Sequence, residues 1–254
     1  MTSDGGLDTE IFTRIYKATV AFGNLHKRLW DDHDVSLKTK VAVYQASIIP
    51  TLLYGCESWT PYRRQISYLD SFHMRRLRTI CKESWDDKVK NSEILSRCNI
   101  SGIESFLIRA QTRWTGHVIR MDETRIPKQL FYGQIPNAPR KIGRPLLRYK
   151  DKLKDNLKHL DLLSNTWEKL PHDRSKWRQK CFSRITKFEE KRVKEHDERY
   201  VRAKISRAMP IANPLFCTTC GKACRTKAGL ASHTRSHIVY TTEDLTCGTC
   251  KNVS

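Results

Sequence analysis

The chain has 254 residues and is 39% hydrophobic, with six Trp, nine Tyr and eight Phe, which is material for one or two domains with a core over part of the length. Its 47 Lys and Arg against 27 Asp and Glu give a net charge of +20 and a pI near 9.7, a field that attracts polyanions, nucleic acid first among them. A membrane fits less well: no basic amphipathic helix has a bulky apolar face, and the longest uncharged stretch, Val41 to Cys56, contains Pro50 and Gly55 and falls short of the ~20 residues a span needs.

In chain order the first half reads as helices. Ile11, Ile15, Ala18, Phe22, Leu25 and Leu29 recur every three or four residues and form one apolar stripe, with Arg14, Lys17 and Lys27 outside it. From about Leu37 to Tyr54, Val41, Tyr44, Ile48 and Leu52 make a segment apolar nearly all round, the expected centre of the domain. Pro50 should kink or split it and Gly55 should end it. A third helix places Ile66, Leu69, Phe72, Leu77 and Ile80 inward and turns Arg63, Arg64, Arg75, Arg76 and Arg78 outward, either as solvated surface or as a phosphate track. Ser101 with Glu104 three residues on, ahead of Phe106, Leu107, Ala110, Trp114 and Val118, reads as a capping box that opens a fourth long helix.

After residue 125 the character changes. Pro127, Pro136, Pro139, Gly143 and Pro145, mixed with Arg140, Lys141, Arg144 and Arg148, describe an extended basic connector able to lie along a phosphate backbone. Gly143, Arg144 and Pro145 also match the centre of an AT-hook, but Ile142 stands where that motif wants a second arginine, so the connector is the better reading. Leu146, Tyr149, Leu153, Leu157 and Leu160 mark a short amphipathic helix. Trp167, Leu170, Trp177, Cys181, Ile185 and Phe188 lead into a charged run, Glu189 to Arg199, that reads as a long helix whose last part is solvated or faces nucleic acid. The charge excess concentrates here: about −1 over residues 1 to 60, about +6 over 61 to 139, about +11 over 140 to 205 and about +4 beyond.

Near the end, Cys217, Cys220, His233 and His237 have the ligand spacing of a two-cysteine, two-histidine zinc finger. A tight turn offers both thiolates from one hairpin, while histidines four apart share a helix face, so the four can close a tetrahedron around zinc. Leu215, Cys224 and Leu230 sit where side chains pack beneath the metal, with Cys224 in place of the usual aromatic, so this core is thin. With Leu230 as fourth helical residue, the base-reading positions fall on Thr226, Gly229 and Ser232, none of them a residue that reads base edges strongly. Lys222, Arg225, Lys227 and Arg235 remain for phosphates, which points to sequence-independent contact or a structural role. Cys247 and Cys250 repeat the two-residue spacing without further ligands and read as half a site, best explained as a truncated second finger. Nine cysteines, an odd number with five clustered after residue 216 in metal-type spacing, argue against a disulfide scaffold, and the charges Asp4, Asp8, Glu10, Arg14 and Lys17 break any signal-peptide run. A reducing compartment is expected.

Five motifs in order then carry a resemblance. Lys38 to Trp59 (KTKVAVYQASIIPTLLYGCESW), Phe72 to Ile80 (FHMRRLRTI), Arg113 to Met121 (RWTGHVIRM), Arg125 to Gly133 (RIPKQLFYG) and Gly143 to Asp151 (GRPLLRYKD), followed by the finger, resemble the carboxy-terminal part of LINE-type, non-LTR retrotransposon polyproteins, over roughly residues 5 to 240. The resemblance implies a mainly α chain: a helical thumb-like domain over 1–123, a basic linker over 124–145, a basic helical segment over 146–205, a linker over 206–214, a small ββα zinc finger over 215–238 and a tail over 239–254. It also implies RNA and DNA as partners held during target-primed reverse transcription, zinc as cofactor, and a nuclear location. The chain departs from the family in lacking the Tyr-x-Asp-Asp signature of the polymerase palm and the endonuclease. Asp31 with Asp32 and Asp86 with Asp87 are adjacent pairs, but in charged connectors, and read as surface or cap carboxylates. The expectation is therefore a nucleic-acid-binding fragment that is not itself an enzyme, unless another chain supplies a palm. The alternative is an inactive remnant or protein-interaction module whose finger is only structural.

Overall fold

The computed structural model describes residues 7–84, 86–133, 148–163, 167–208 and 214–237. The architecture is mainly helical with one small two-stranded sheet near the carboxy terminus. It divides into two units after Asp197, and no described helix is long and apolar enough to cross a membrane. The connector residues 134–147, with the candidate contacts Arg140, Lys141 and Arg144, and the tail with Cys247 and Cys250 lie outside the described residues.

The first unit starts with helix α1 (Leu7–Asn24), whose Ile11, Ala18 and Phe22 are buried as the stripe predicts. A π-turn over His26–Trp30 then brings the Trp30 ring onto Phe22, the two stacked with centroids 4.6 Å apart, while the indole N–H donates to the Phe22 carbonyl at 2.8 Å. Pro50 splits the second segment as expected, giving α2 (Leu37–Val43) and α3 (Ile49–Leu52). Between them Tyr44–Ile48 widens into a π-turn, in which the Ile49 N–H reaches back to the Tyr44 carbonyl. A proline cannot donate to the regular ladder, and the widened turn absorbs the mismatch. Gly55, at φ +77°, ends the segment in the left-handed conformation. Helix α4 (Arg63–Cys81) buries Ile66, Leu69, Phe72, Leu77 and Ile80, and α5 (Asn91–Cys98) packs on it.

The fourth long helix is α6 (Ile103–Arg120), but Ser101 does not cap it. Gly102 occupies the cap position, and the Gly102 N–H and the Ser105 hydroxyl both donate to the carboxylate of Glu189, at 2.8 and 2.6 Å. Glu104 pairs instead with Arg63 at 2.6 Å. The capping box does not form, because Gly102 rather than Ser101 holds the cap position and a carboxylate from α9 takes the Gly102 amide. At the other end the Lys128 ammonium, on α7 (Ile126–Tyr132), donates to the carbonyls of Ile119 and Met121 at 3.0 and 2.8 Å.

Helix α6 also joins two cores. Its Ile103 and Leu107 belong to the cluster formed with α1 to α5, whereas its Ile108 belongs to a second cluster with Leu153, Leu157, Leu160, Leu162, Trp177, Cys181 and Ile185. Those side chains come from α8 (Tyr149–His159), the turn after it, and the first part of α9 (Arg174–Ala208). The chain beyond the connector thus folds back onto α6 within the same unit. The charged run on α9 is only partly solvated, contrary to the expectation from composition. Glu189 and Arg192 are half-buried against the start of α6, bonded to each other at 2.8 and 3.0 Å, and Asp197 accepts from the Ser92 hydroxyl at 2.8 Å. Burial alone would raise the Glu189 carboxyl, but hydrogen bonds from Arg192, Ser105 and the Gly102 amide outweigh it and hold the group below its ordinary range.

Two predictions follow from this packing. Trp177 lies against Gly116 of α6 and its indole donates to the Thr112 carbonyl at 3.1 Å, so any Cβ at Gly116 would collide with the ring. Gly116→Ala is expected to destabilise the chain by about 1–3 kcal/mol in urea titrations followed by tryptophan fluorescence. His73, fully buried, faces the Ser101 carbonyl with Nε2 at 3.2 Å and the Tyr44 hydroxyl with Nδ1 at 2.9 Å. A carbonyl only accepts, so Nε2 carries the proton and Nδ1 accepts from Tyr44. Burial pushes the imidazole down to about 4 from 6.5. The folded pKa lies below the unfolded one, so the unfolded chain takes up the proton first and stability falls as pH drops from about 6.5 to about 4, by about 3 kcal/mol. A His73→Asn variant should lose that part of the pH dependence of unfolding, and an unchanged slope would contradict the assignment.

Candidate metal centre

The second unit carries the ββα element. Strands β1 (Leu215–Phe216) and β2 (Ala223–Cys224) pair antiparallel, Leu215 opposite Cys224 and Phe216 opposite Ala223. The Cys217 N–H donates to the Lys222 carbonyl at 2.9 Å and the Gly221 N–H to the Cys217 carbonyl at 2.8 Å, with Gly221 at φ +71°. This turn, which requires a glycine at its left-handed position, puts Cys217 and Cys220 on one side of the hairpin. Helix α10 (Lys227–Arg235) follows and delivers His233 from its last turn, with His237 four residues on.

One donor atom from each of Cys217, Cys220, His233 and His237 lies within 4.8 Å of every other. His233 Nε2 is 3.0 Å from Cys220 Sγ and 3.1 Å from His237 Nε2. Two thiols and two imidazoles converging with their lone pairs on one point are the donor set of a tetrahedral site for a borderline-soft divalent ion, and zinc fits it. The Cys217 thiol is pushed down to about 6, first by the Cys220 amide and then by the Thr219 amide, which favours the thiolate that a metal needs. Around the site the core is as thin as the sequence implies. Leu215, Cys224 and Leu230 are only half-buried, and among the described residues of this element Cys217 alone is buried. With so little apolar surface withdrawn from water, a metal held by these donors would supply most of the free energy that orders the element.

The base-reading positions behave differently from the motif. Thr226 is the N-cap of α10, its hydroxyl accepting from the Gly229 N–H at 3.0 Å, so it has a helix-capping duty of its own. Its place just ahead of the helical residues was the signal for that role. Lys222, Arg225, Lys227 and Arg235 are exposed on the finger.

The remaining candidate contacts divide by environment. Arg75 and Arg148 are exposed. Arg78 donates to the Val89 carbonyl at 2.7 Å and to Asn91 Oδ1 at 2.8 Å, and Arg76 lies half-buried over the rings of Phe22 and Phe72, so these two brace α4 instead of facing out. Asp32 and Asp87 accept local backbone bonds, from Asp34 at 2.8 Å and Ser84 at 2.6 Å, which is turn chemistry. One basic feature was not singled out in the sequence. Lys180, Lys187, Lys191 and Lys194 are exposed and, at about 100° per residue, fall within roughly 60° of one another around α9. The seven-residue spacing of Lys180, Lys187 and Lys194 is the sequence signal for this stripe, which starts before the charged run Glu189 to Arg199.

No known family profile matches the chain, and no solved structure matches it. The chain is 22% identical over 185 residues to an uncharacterized transposon-derived protein of Caenorhabditis elegans, an alignment that covers 70% of this chain and 65% of that protein. The match thus spans just under two thirds of that relative's length. A basic, mainly helical chain with a group of four Cys and His side chains able to hold a metal ion defines the class, and the similarity supports a transposon origin.

The metal site is testable without any activity. The chain titrated with Co(II) should develop the absorption of a tetrahedral thiolate site at one equivalent, displaced by Zn(II), and chelation should remove the helical signal of α10. Cys217→Ser or His233→Ala is expected to weaken binding at least about 100-fold while leaving unfolding of the first unit unchanged. Retention of tetrahedral cobalt in both variants would rule out this ligand set.

Proposed function

We propose that the chain is a zinc-binding, largely sequence-independent nucleic-acid-binding fragment of a non-LTR retrotransposon reverse transcriptase, without a catalytic centre of its own. The observation that carries this reading is the finger: its donors converge for a metal, its exposed surface holds Lys222, Arg225, Lys227 and Arg235, and Thr226, Gly229 and Ser232 offer nothing that discriminates base edges. The lysine stripe on α9 supports it, since Lys180, Lys187 and Lys194 make no ion pair among the described residues. The transposon-derived relative and the ordered motifs favour the same origin. In this reading RNA and/or DNA are bound through phosphates, polymerisation would require a palm from another chain, and the protein acts in the nucleus, where chromosomal targets lie.

A second reading, a protein-interaction module with a purely structural finger, is favoured by one feature. Phe12, Tyr16 and Val20 lie four apart on α1 and are 52%, 69% and 46% exposed, and the Phe12 ring lies 5.3 Å from that of Tyr68 on α4. Such an apolar face on a first helix suits a protein partner.

Fluorescence anisotropy of the zinc-loaded chain separates the two. Against an unrelated RNA and a duplex DNA, affinity should fall about 10³-fold or more for a fourfold rise in salt, the mark of six or more phosphate contacts. Replacing Lys180, Lys187 and Lys194 together by Gln should reduce the logarithmic salt slope by about 2–3. Weak binding at low salt would overturn the nucleic-acid reading and leave the protein-interaction one.

A further inference from the structure

Four of the cysteines precede the ββα element, and two of them meet. Cys81 is the last residue of α4 and Cys98 the last of α5, and their Sγ atoms stand 3.2 Å apart. Each helix then stops in the same way, with Lys82 and Asn99 in the left-handed conformation at φ 57° and 47°. Two helices that pack against each other and end at the same level therefore bring their terminal side chains together. The pair is asymmetric. Cys98 is buried, whereas Cys81 is half-buried, and its thiol is held below its ordinary range first by the hydrogen bond with Cys98 and then by Arg97 and Arg78, against burial and Glu83. Cys56 and Cys181, by contrast, are buried and have no sulfur neighbour among the described residues.

We propose that Cys81 and Cys98 form a redox modification site in which a small peroxide converts the two thiols into a reversible disulfide that ties α5 to α4. The Cys81 thiolate attacks one peroxide oxygen, the O–O bond breaks, and the departing hydroxide takes up a proton as water, leaving a sulfenic acid on Cys81. Cys98 Sγ then attacks that sulfur, the S–O bond breaks, and hydroxide leaves with the Cys98 proton as a second water. The dithiol has lost two electrons and two protons, and the peroxide has been reduced to two waters. Closing the bond brings the sulfurs from 3.2 Å to the covalent distance of about 2.05 Å, a movement of roughly 1 Å that side-chain rotation can supply at two helix ends. Cys81 is the attacking thiol because it is the one a peroxide can reach, and Cys98 resolves it because it is already in contact. The site is independent of the finger and of any nucleic-acid binding.

Peptide mapping of the zinc-loaded full chain tests this after brief treatment with hydrogen peroxide at low molar excess, followed by alkylation without reductant. The expected product is a linked peptide pair containing Cys81 and Cys98, returned to two alkylated thiols by dithiothreitol, with Cys56 and Cys181 alkylated only after denaturation. In Cys98→Ser the reaction should stop at a sulfenic acid on Cys81 that a dimedone reagent traps, and in Cys81→Ser the Cys98 thiol should survive the same exposure. Recovery of Cys81 and Cys98 as free thiols while other cysteines are oxidised would overturn the proposal. So would linkage of either one to a different cysteine, or accumulation of sulfinic acid on Cys81 in the unsubstituted chain.

Discussion

The contact on which the first unit depends is the Glu189 carboxylate at the start of α6. The first amides of a helix have no partner within it, and at the start of α6 Gly102 and Ile103 are buried. Glu189 accepts from the Gly102 amide and the Ser105 hydroxyl, and Arg192 balances its charge. At the opposite end Lys128 takes up the carbonyls of Ile119 and Met121. An anion at the amino end and a cation at the carboxy end both act with the helix dipole, each by about 1–2 kcal/mol where partly shielded from solvent. A helix closed at both ends can be surrounded on several sides, and α6 is. It meets α4 and the turn at Cys56–Ser58 on one flank, and α8 and Trp177 on the other.

This arrangement explains what could be read from the chain and what could not. The apolar stripes of α1, α4, α8 and the first part of α9 are visible because helical periodicity is a local property, and burying each stripe follows whatever the partner. The amino-terminal cap of α6 is not visible, because Glu189 lies 87 residues from the amide it accepts from. A carboxylate in a charged run has no sequence mark that separates it from a solvated one. The Ser101 and Glu104 pattern had the right spacing for a cap but a competitor with better reach. Arg76 and Arg78 show the same limit: their positions on α4 are periodic, but whether a guanidinium finds an aromatic ring or a carbonyl depends on Phe22, Val89 and Asn91, which belong to other segments.

The finger is the opposite case. All its determinants fall within residues 215 to 237, so ligand spacing, the turn glycine and the helix are legible together. The cap made by Thr226 is equally local, its hydroxyl accepting from the amide three residues on. The element has almost no interior apart from its donor atoms. A metal held by those four donors would make order and binding one equilibrium, so that chelation would act on the fold of this element and on its surface together.

The distribution of positive charge follows from the same geometry. Lys40 donates to the Trp30 carbonyl at the end of the first π-turn, Lys128 closes α6, Arg78 holds the loop before α5, and Arg192 is paired with Glu189. These cations compensate main-chain carbonyls or carboxylates, and moving them onto a ligand would expose the groups they now satisfy. The net charge of +20 is thus an uneven guide to the surface. Lys180, Lys187 and Lys194 of α9, and Lys222 and Lys227 near the carboxy terminus, have no such structural duty in the described fold, and Lys191 makes only a weak exposed pair with Glu195 at 3.9 Å. A polyanion would displace solvent and mobile ions from them rather than break the fold, which makes them the part of the charge free to act in trans.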